Sequence, residues 1–159
     1  MLKVSKLADY ATLVMVHMAN DKRQLHNAKD IALHTHVALP TVSKILKAMA
    51  KADLLVSLRG AHGGYKLIHH PSTISVAQII NAIDGNFAMT DCSLQKGLCN
   101  IERFCQTRNN WQLISRAIYD ILEYLTLEDM AKTKLTAIPI TIPKRKKLTP
   151  LKREEFNDN

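Results

Sequence analysis

Three cysteines lie within fourteen residues of one another, at Cys92, Cys99 and Cys105. Their spacing, C-x6-C-x5-C, lacks the close C-x-x-C pairs that structural zinc sites usually contain. Thiolates are soft ligands, and the polar, glycine-containing stretch 91–99 is typical of a loop that wraps around a bound group. The cysteines are therefore inert, redox-active or metal-binding, and as metal ligands they suit an iron–sulfur cluster better than zinc.

An iron–sulfur cluster normally takes four protein ligands, and this segment supplies three thiols. All seven histidines lie between His17 and His70, so none is close in sequence. The fourth ligand would come from a carboxylate, a distant histidine, a second subunit or an exogenous molecule. Asp91 and Glu102 are the local carboxylates, and each is equally consistent with an ordinary solvated loop charge.

The net charge of +8 is concentrated at the two ends of the chain. Residues 1–70 carry ten Lys/Arg against four Asp/Glu, residues 71–131 four against seven, and residues 132–159 eight against three. A basic N-terminal half indicates a polyanionic partner, most simply double-stranded DNA, because Lys and Arg displace counterions condensed on phosphates. Solubilising charge is the alternative, and charge alone does not separate the two.

The elements that would position the basic residues are three helices followed by a hairpin. Hydrophobic periodicity and turn residues predict three helices, over residues 4–20, 27–34 and 40–52. Two strands follow, over residues 55–59 and 65–68. Ser5 and Asn27 are the expected caps, and Pro40 fits the first turn of the third helix. This order predicts a mainly α fold with a small β-hairpin wing, a winged helix-turn-helix.

The third helix has an apolar face and a polar, cationic face. The polar side chains in its first turns are expected to contact DNA, and they are Thr41, Ser43, Lys44 and Lys47. In the hairpin, Arg59 and His62 lie at a glycine-rich turn that suits close approach to a minor groove. An amphipathic surface helix beside an ordinary hairpin is the structural alternative.

The second half of the chain ends in the longest helical pattern. Residues 109–131 read as one helix with a heptad-like apolar seam that begins at Trp111. Beyond it, prolines mixed with Lys and Arg predict a disordered basic tail. The expected organisation is a winged helix-turn-helix domain, a cysteine-containing cluster loop, a dimerisation helix and a tail, over residues 1–84, 85–108, 109–135 and 136–159.

Several classes of function are disfavoured. No apolar run approaches the ~20 residues of a membrane span, and the N-terminus lacks a signal-peptide core, so we expect a cytoplasmic protein with no membrane association. The chain has no nucleotide-binding loop and no paired-carboxylate or nucleophile motif, which argues against an enzyme with a small-molecule substrate. A cluster-transfer scaffold is disfavoured for the same reason.

The chain resembles the iron–sulfur cluster transcriptional regulators of the IscR, NsrR and RirA type over residues 1–131. The resemblance rests on the opening Ser-Lys-Leu-Ala-Asp-Tyr-Ala at 5–11, the segment Leu-Leu-Val-Ser-Leu-Arg-Gly at 54–60, and Gly-Gly-Tyr at 63–65. The cysteine loop before a long helix completes it. Within this family the chain is most similar to the branch that regulates the SUF cluster-assembly operon.

The resemblance implies a homodimer paired through the long helix, with Cys92, Cys99 and Cys105 as ligands of a 2Fe–2S or 4Fe–4S cluster. In the IscR type a histidine three residues after the last cysteine is the fourth ligand, and here that position is Arg108. In the nitric-oxide sensors an aspartate near the N-terminus of the opposite subunit serves instead, and Asp9 matches it. Asp9 in trans is therefore the predicted fourth ligand, although an acidic residue is favourable in a first helical turn in any case.

These observations predict a dimeric repressor that senses cluster status and controls SUF genes. A nitric-oxide or iron-responsive repressor of the same family is one alternative. A regulator that senses through disulfide chemistry between two cysteines, without metal, is another.

Overall fold

The computed structural model describes residues 4–21, 23, 25–60 and 63–132. Within them the chain forms helices α1 (Lys6–Asn20), α2 (Ala28–Thr35), α3 (Leu39–Lys51), α4 (Val76–Asp84), α5 (Asp91–Leu94), α6 (Arg108–Tyr124) and α7 (Leu127–Ala131), strands β1 (Leu55–Leu58) and β2 (Gly64–Leu67), and a 3-10 turn at Pro71–Thr73. None of the helices in this part of the chain is long and apolar enough to cross a membrane. His62 and the predicted basic tail, 136–159, lie outside the described residues.

The first two helices begin where their caps predict. The Ser5 hydroxyl accepts a hydrogen bond from the Ala8 N–H at 3.0 Å, and the Asn27 side chain accepts one from the Asp30 N–H at 2.8 Å. Each cap satisfies a backbone donor that has no partner inside the helix. The predicted bounds of α1, α2, α3 and both strands agree with the structure to within two residues.

The helix-turn-helix is formed by α2, a tight turn and α3. His36 ends α2 in the left-handed conformation with φ 56°, and Pro40 lies in the first turn of α3. The apolar face of α3 packs into the main core, whose largest fully buried side chains are Met15, Ile31, Ile45, Leu46, Met49, Leu55, Ile74, Ile79 and Leu127. The core therefore fixes α3 against α1 and leaves its other face in solvent.

The hairpin is antiparallel, with Leu55 opposite Leu67 and Leu58 opposite Gly64. Strand β2 is joined to the loop before α2, because His26 and Tyr65 exchange two backbone hydrogen bonds of 2.9 and 2.8 Å. The fold is therefore mainly helical with a small hairpin wing, as predicted.

The C-terminal helical stretch differs from the prediction of one helix over 109–131. Helix α6 ends at Tyr124, and α7 restarts behind a capping box formed by Thr126 and Asp129. At the break, Leu127 donates a backbone hydrogen bond to Ile74 at 2.7 Å, and Val76 donates one to Leu125 at 2.8 Å. These tertiary bonds replace helical ones and carry Leu127 into the main core.

The segment between α4 and α6, residues 85–107, contains one short helix, α5. The preceding helix, α4, starts at a capping box, in which Ser75 and Gln78 exchange hydrogen bonds between side chain and backbone. Helix α4 packs against both α1 and α6. The cysteine loop is thus held between α4 and α6.

Candidate nucleic-acid interface and cysteine loop

The solvent-facing side of α3 carries the predicted DNA-contacting residues. Thr41 and Ser43 are half-buried, whereas Lys44 and Lys47 are exposed. Among the described residues, no acidic side chain forms an ion pair with either lysine. These two lysines are exposed and have no ion-pair partner among the described residues, so they are available to phosphates.

The wing adds a third cation beside a tight backbone turn. Arg59 follows β1 and is exposed, and Gly60 adopts φ +118°, which favours glycine. The Gly63 N–H donates to the Gly60 carbonyl at 2.9 Å, and a Cβ at Gly63 would collide with the Leu58 carbonyl oxygen. The predicted role of the glycines in a close turn is therefore physically required by this geometry.

The helix-turn-helix and the wing border a shared groove. It has a volume of about 700 Å³ and is lined by α2, the start of α3 and the wing, through residues that include Asn27, Lys29, Leu39, Ser43 and Gly63. The start of α3 and the turn of the wing consequently lie on one side of the molecule. A surface of this kind matches a helix in a major groove with a neighbouring wing.

In the cysteine loop, Cys92 is the buried thiol. It lies in the first turn of α5, its Sγ is 3.3 Å from the Thr90 hydroxyl oxygen, and its carbonyl oxygen accepts a hydrogen bond from Gln112 Nε2 at 2.9 Å. Cys92 is thereby anchored on α6.

Cys99 and Cys105 are half-buried. The Cys105 Sγ lies 3.3 Å from the Thr107 hydroxyl oxygen, and hydrogen bonding from Thr107 lowers the pKa of the thiol, with smaller contributions from Arg108. A lowered pKa increases the thiolate fraction, which is the form that binds metals and reacts. Cys105 is therefore the thiol that the structure makes best suited to bind a metal or to react.

Glu102 is buried in the same loop and already has partners. Its carboxylate accepts a hydrogen bond from the Gly97 N–H at 2.6 Å and forms an ion pair with Arg108 Nη2 at 2.8 Å. The Arg108 Nε is buried without a hydrogen-bond partner. A pocket of about 340 Å³, lined by Glu102, Arg108 and Cys99 among others, lies beside this pair.

The remaining predicted ligands are dispersed. Asp9 is exposed on α1, and Asp91 is exposed at the start of α5. Within the described residues, the three thiols and Asp9 do not form a group with donor atoms inside 4.8 Å of one another. A single zinc ion would need donors about 3.8 Å apart, given Zn–S bonds of about 2.3 Å, whereas a cluster accepts a wider spacing.

One group of three side chains, with donor atoms within 4.8 Å of one another, was not predicted from the sequence. It consists of His17, Asp21 and His26, which come from the last turn of α1 and the loop after it. His17 and Asp21 are four residues apart, which places them on one helix face, and this is the only signal that the sequence offered.

Comparison with known proteins identifies the family. The profile of the Rrf2 family, described as an iron-dependent transcriptional regulator, matches residues 4–133. The chain belongs to the Rrf2 family of transcriptional regulators. The Rrf2 family and the similar proteins are regulators, not enzymes, and DNA binding follows from that role.

Two curated Rrf2 relatives show the extent of the similarity. The regulator IscR of Vibrio vulnificus is 30% identical over 81% of this chain and 77% of its own length. The regulator NsrR of Oceanobacillus iheyensis is 28% identical over 84% of this chain and 92% of its own length. Among solved structures, CymR, described as the global cysteine regulator of B. subtilis, superimposes with a TM-score of 0.64 at 26% identity, covering 82% of this chain and 97% of CymR.

Proposed function

We propose that this Rrf2 regulator is a homodimeric repressor that binds operator DNA through α3 and the wing, and that an iron–sulfur cluster controls its affinity. The observation that carries the proposal is the surface formed by α3 and the wing, on which Lys44, Lys47 and Arg59 are exposed. None of the three forms an ion pair with an acidic residue in the described part of the chain. The Thr41 and Ser43 side chains lie in the first two turns of α3, where a recognition helix contacts base edges. His62 is proposed as a further wing contact.

Dimerisation through α6 is supported by apolar side chains that the single chain leaves in solvent. Leu113 is 70% exposed, and Ile114 and Tyr124 are also exposed. Exposed apolar side chains that recur along one helix favour an interface with another chain at that helix. Pairing of two α6 helices would set the separation of the two α3 helices, which must match major-groove sites about 34 Å apart or a multiple of that distance.

Cys92, Cys99 and Cys105 are the proposed cluster ligands. The donor set fits a cluster because the three thiols lie in one loop and hydrogen bonding lowers the pKa of Cys105. The buried Arg108 Nε, in the same pocket lining as Cys99, has no hydrogen-bond partner among the described residues. An unpaired buried N–H is a donor that an anionic cluster or its thiolates can satisfy. When bound, an iron–sulfur cluster supplies a group whose loss reports iron shortage, oxygen or nitric oxide.

Asp9 of the second protomer is the proposed fourth ligand. Its carboxylate is exposed on α1, so a dimer partner can reach it. Asp9→Ala should alter the visible absorption of the cluster and shorten its lifetime in air, whereas Asp53→Ala, in the turn after α3, should leave both unchanged. Identical spectra and lifetimes for Asp9→Ala and the wild type would refute this assignment.

The resemblance of the sequence to iron–sulfur cluster regulators, together with the similarity to IscR, leads us to propose the SUF cluster-assembly genes as targets. A nitric-oxide or iron-responsive repressor of the same family is the alternative, in keeping with the similarity to NsrR. Either role places the protein in the cytoplasm. The similarity to CymR, together with the lowered pKa of Cys105, favours one further candidate, a metal-free thiol switch.

The deciding experiment measures iron, acid-labile sulfide and zinc per chain, with an absorption spectrum, on protein purified without oxygen. Near-equal iron and sulfide, together with cluster-dependent retention of a random-sequence duplex library, are the expected results. A colourless protein that cannot be reconstituted, and whose DNA binding responds only to thiol oxidants, would establish the thiol switch instead.

A further inference from the structure

A cluster of nitrogen and oxygen donors lies outside the cysteine loop, between α1 and the wing. His17 is in the last turn of α1, Asp21 caps that helix, and His26 lies in the loop before α2. The Asp21 Oδ2 is 4.0 Å from His17 Nε2 and 3.8 Å from His26 Nδ1. All three donor atoms lie within 4.8 Å of one another.

The two imidazole nitrogens are buried and unsatisfied. His26 is only 3% exposed, yet its Nδ1 has no partner at full hydrogen-bonding geometry among the described residues, and the same holds for the His17 Nε2. Buried polar atoms in native proteins nearly always have a partner, so two such atoms aimed at one carboxylate need an explanation.

The protonation states are those that a metal site requires. Burial lowers the pKa of both His17 and His26, so their neutral forms predominate at neutral pH and a ring nitrogen lone pair is available. Hydrogen bonding from Arg23 holds the pKa of Asp21 well below its usual range, so the carboxylate is ionised. Two neutral imidazoles and one carboxylate form a donor set that zinc and related divalent metals commonly bind.

The distances are close to those of a bound ion. Zinc–nitrogen bonds of about 2.0–2.1 Å place tetrahedral donors about 3.4 Å apart, so side-chain rotations alone can close the present spacing. Arg23 is the competitor for Asp21, since its Nη2 lies 2.6 Å from Oδ2. Arg23 has a second partner in Asp30, at 3.2 Å, and can keep it when a metal takes Oδ2.

We propose that His17, Asp21 and His26 bind one Zn²⁺-class divalent metal ion, separate from the cysteine loop, with water or an exogenous ligand in the fourth position. The site joins three parts of the DNA-binding unit. His17 belongs to α1, the ring of His34 in α2 stacks on His17 at 5.2 Å, and His26 is paired through its backbone with Tyr65 of β2.

A metal at this site would restrain β2 of the wing. A Cβ at Gly64 would lie 2.6 Å from the His26 carbonyl oxygen, so the loop and β2 are already in close contact. Fixing His26 to Asp21 and His17 reduces the conformational freedom of the loop before α2, which is hydrogen-bonded to β2. Metal binding to the folded chain also raises its melting temperature through linkage.

The test is zinc stoichiometry on the untagged full-length chain, measured after equilibrium dialysis against buffered Zn²⁺. His17→Gln and Asp21→Asn should each lower bound Zn²⁺ by one ion per chain and remove the Zn²⁺-dependent rise in melting temperature. His36→Asn is the matched control, because His36 is an exposed histidine in a left-handed turn that asparagine also tolerates.

Metal bound by the cysteines is distinguished by replacing Zn²⁺ with Co²⁺, because Co²⁺ bound to thiolates gives charge-transfer absorption bands. Those bands should be the same in the wild type and in both variants. Unchanged stoichiometry in both His17→Gln and Asp21→Asn, with native far-UV circular dichroism, would overturn the proposal. Stoichiometry that falls equally in His36→Asn would also overturn it.

Discussion

At the scale of single residues, the three thiols occupy different environments although each belongs to one loop. Cys92 is buried and Cys105 is half-exposed, yet each has a threonine hydroxyl oxygen 3.3 Å from its sulfur. The Cys105 site adds backbone hydrogen bonds from Thr107 and Arg108, which favour the thiolate. Exposure and backbone donors, more than the hydroxyl alone, distinguish the two.

This difference predicts the order of alkylation in the cluster-free chain. Cys105 should react with iodoacetamide faster than Cys92 at pH 7, because it has both access and a larger thiolate fraction. Thr107→Val should slow the reaction at Cys105, and the matched variant Thr90→Val should leave that rate unchanged. Peptide mass spectrometry over a time course measures both. Equal rates at Cys92 and Cys105 would contradict the assigned environments.

The exposed lysines of α3 allow a second prediction at the scale of single residues. Lys47→Ala should weaken binding to all duplexes to a similar extent and reduce the slope of log K against log salt by about 1, because it removes one phosphate contact. Fluorescence anisotropy between ~50 and ~200 mM salt gives the slope. Lys6→Ala, on α1, is the control and should leave it unchanged. A slope that Lys47→Ala does not alter would place Lys47 away from DNA.

At the scale of elements, the break between α6 and α7 joins the C-terminal segment to the core. Thr126 and Asp129 exchange hydrogen bonds of 3.1 and 3.2 Å, and Leu127 is fully buried. Replacing the cap by Thr126→Ala should therefore lower the free energy of unfolding by about 1 kcal/mol. Urea unfolding measures it, with Thr41→Ala, on α3 and outside the α6–α7 junction, as a control that should lower it by less.

The same cap predicts a pH dependence. Hydrogen bonds from Lys132 and Thr126 lower the pKa of Asp129 to about 2, whereas the unfolded value is about 3.9. The contribution of Asp129 to stability is thus fully present above about pH 4 and is lost as the pH falls through about 2. The difference in melting temperature between the wild type and Asp129→Asn should shrink over that interval. A difference that stays constant between about pH 4 and about pH 2 would contradict this role of Asp129.

At the scale of the whole molecule, α6 leaves several apolar side chains exposed on the single chain, Leu113 and Ile114 among them. Leu113→Glu and Ile114→Glu should convert a dimer to a monomer and weaken operator binding, because a buried carboxylate opposes pairing. Light scattering after gel filtration gives the mass. Leu33→Glu, at a similarly exposed leucine on α2, is the matched control and should remain dimeric. A dimer that survives both Leu113→Glu and Ile114→Glu would place the interface elsewhere.

Much of the fold was predictable because its signals are local. Ser5, Asn27 and Ser75 cap helices through neighbours three residues away, and Pro40 and the glycines mark turns that few other residues adopt. The element order of the winged helix-turn-helix follows from these signals, and so does the cationic face of α3. The wing residue His62 and the proposed ligand roles of the cysteines and Asp9 stay predictions.

The sequence by itself determined the fold class, since short-range spacing encodes caps, turns and helical faces, and its resemblance to known regulators indicated the family. It also predicted which side chains of α3 and the wing contact DNA. Tertiary structure decided the end of α6, because backbone bonds between Leu127 and Ile74 outcompete helical continuation. It also decided the pairing of Arg108 with Glu102 and the meeting of His17, Asp21 and His26. Spacing cannot reveal these contacts, since burial and long-range packing set which polar atoms are brought together.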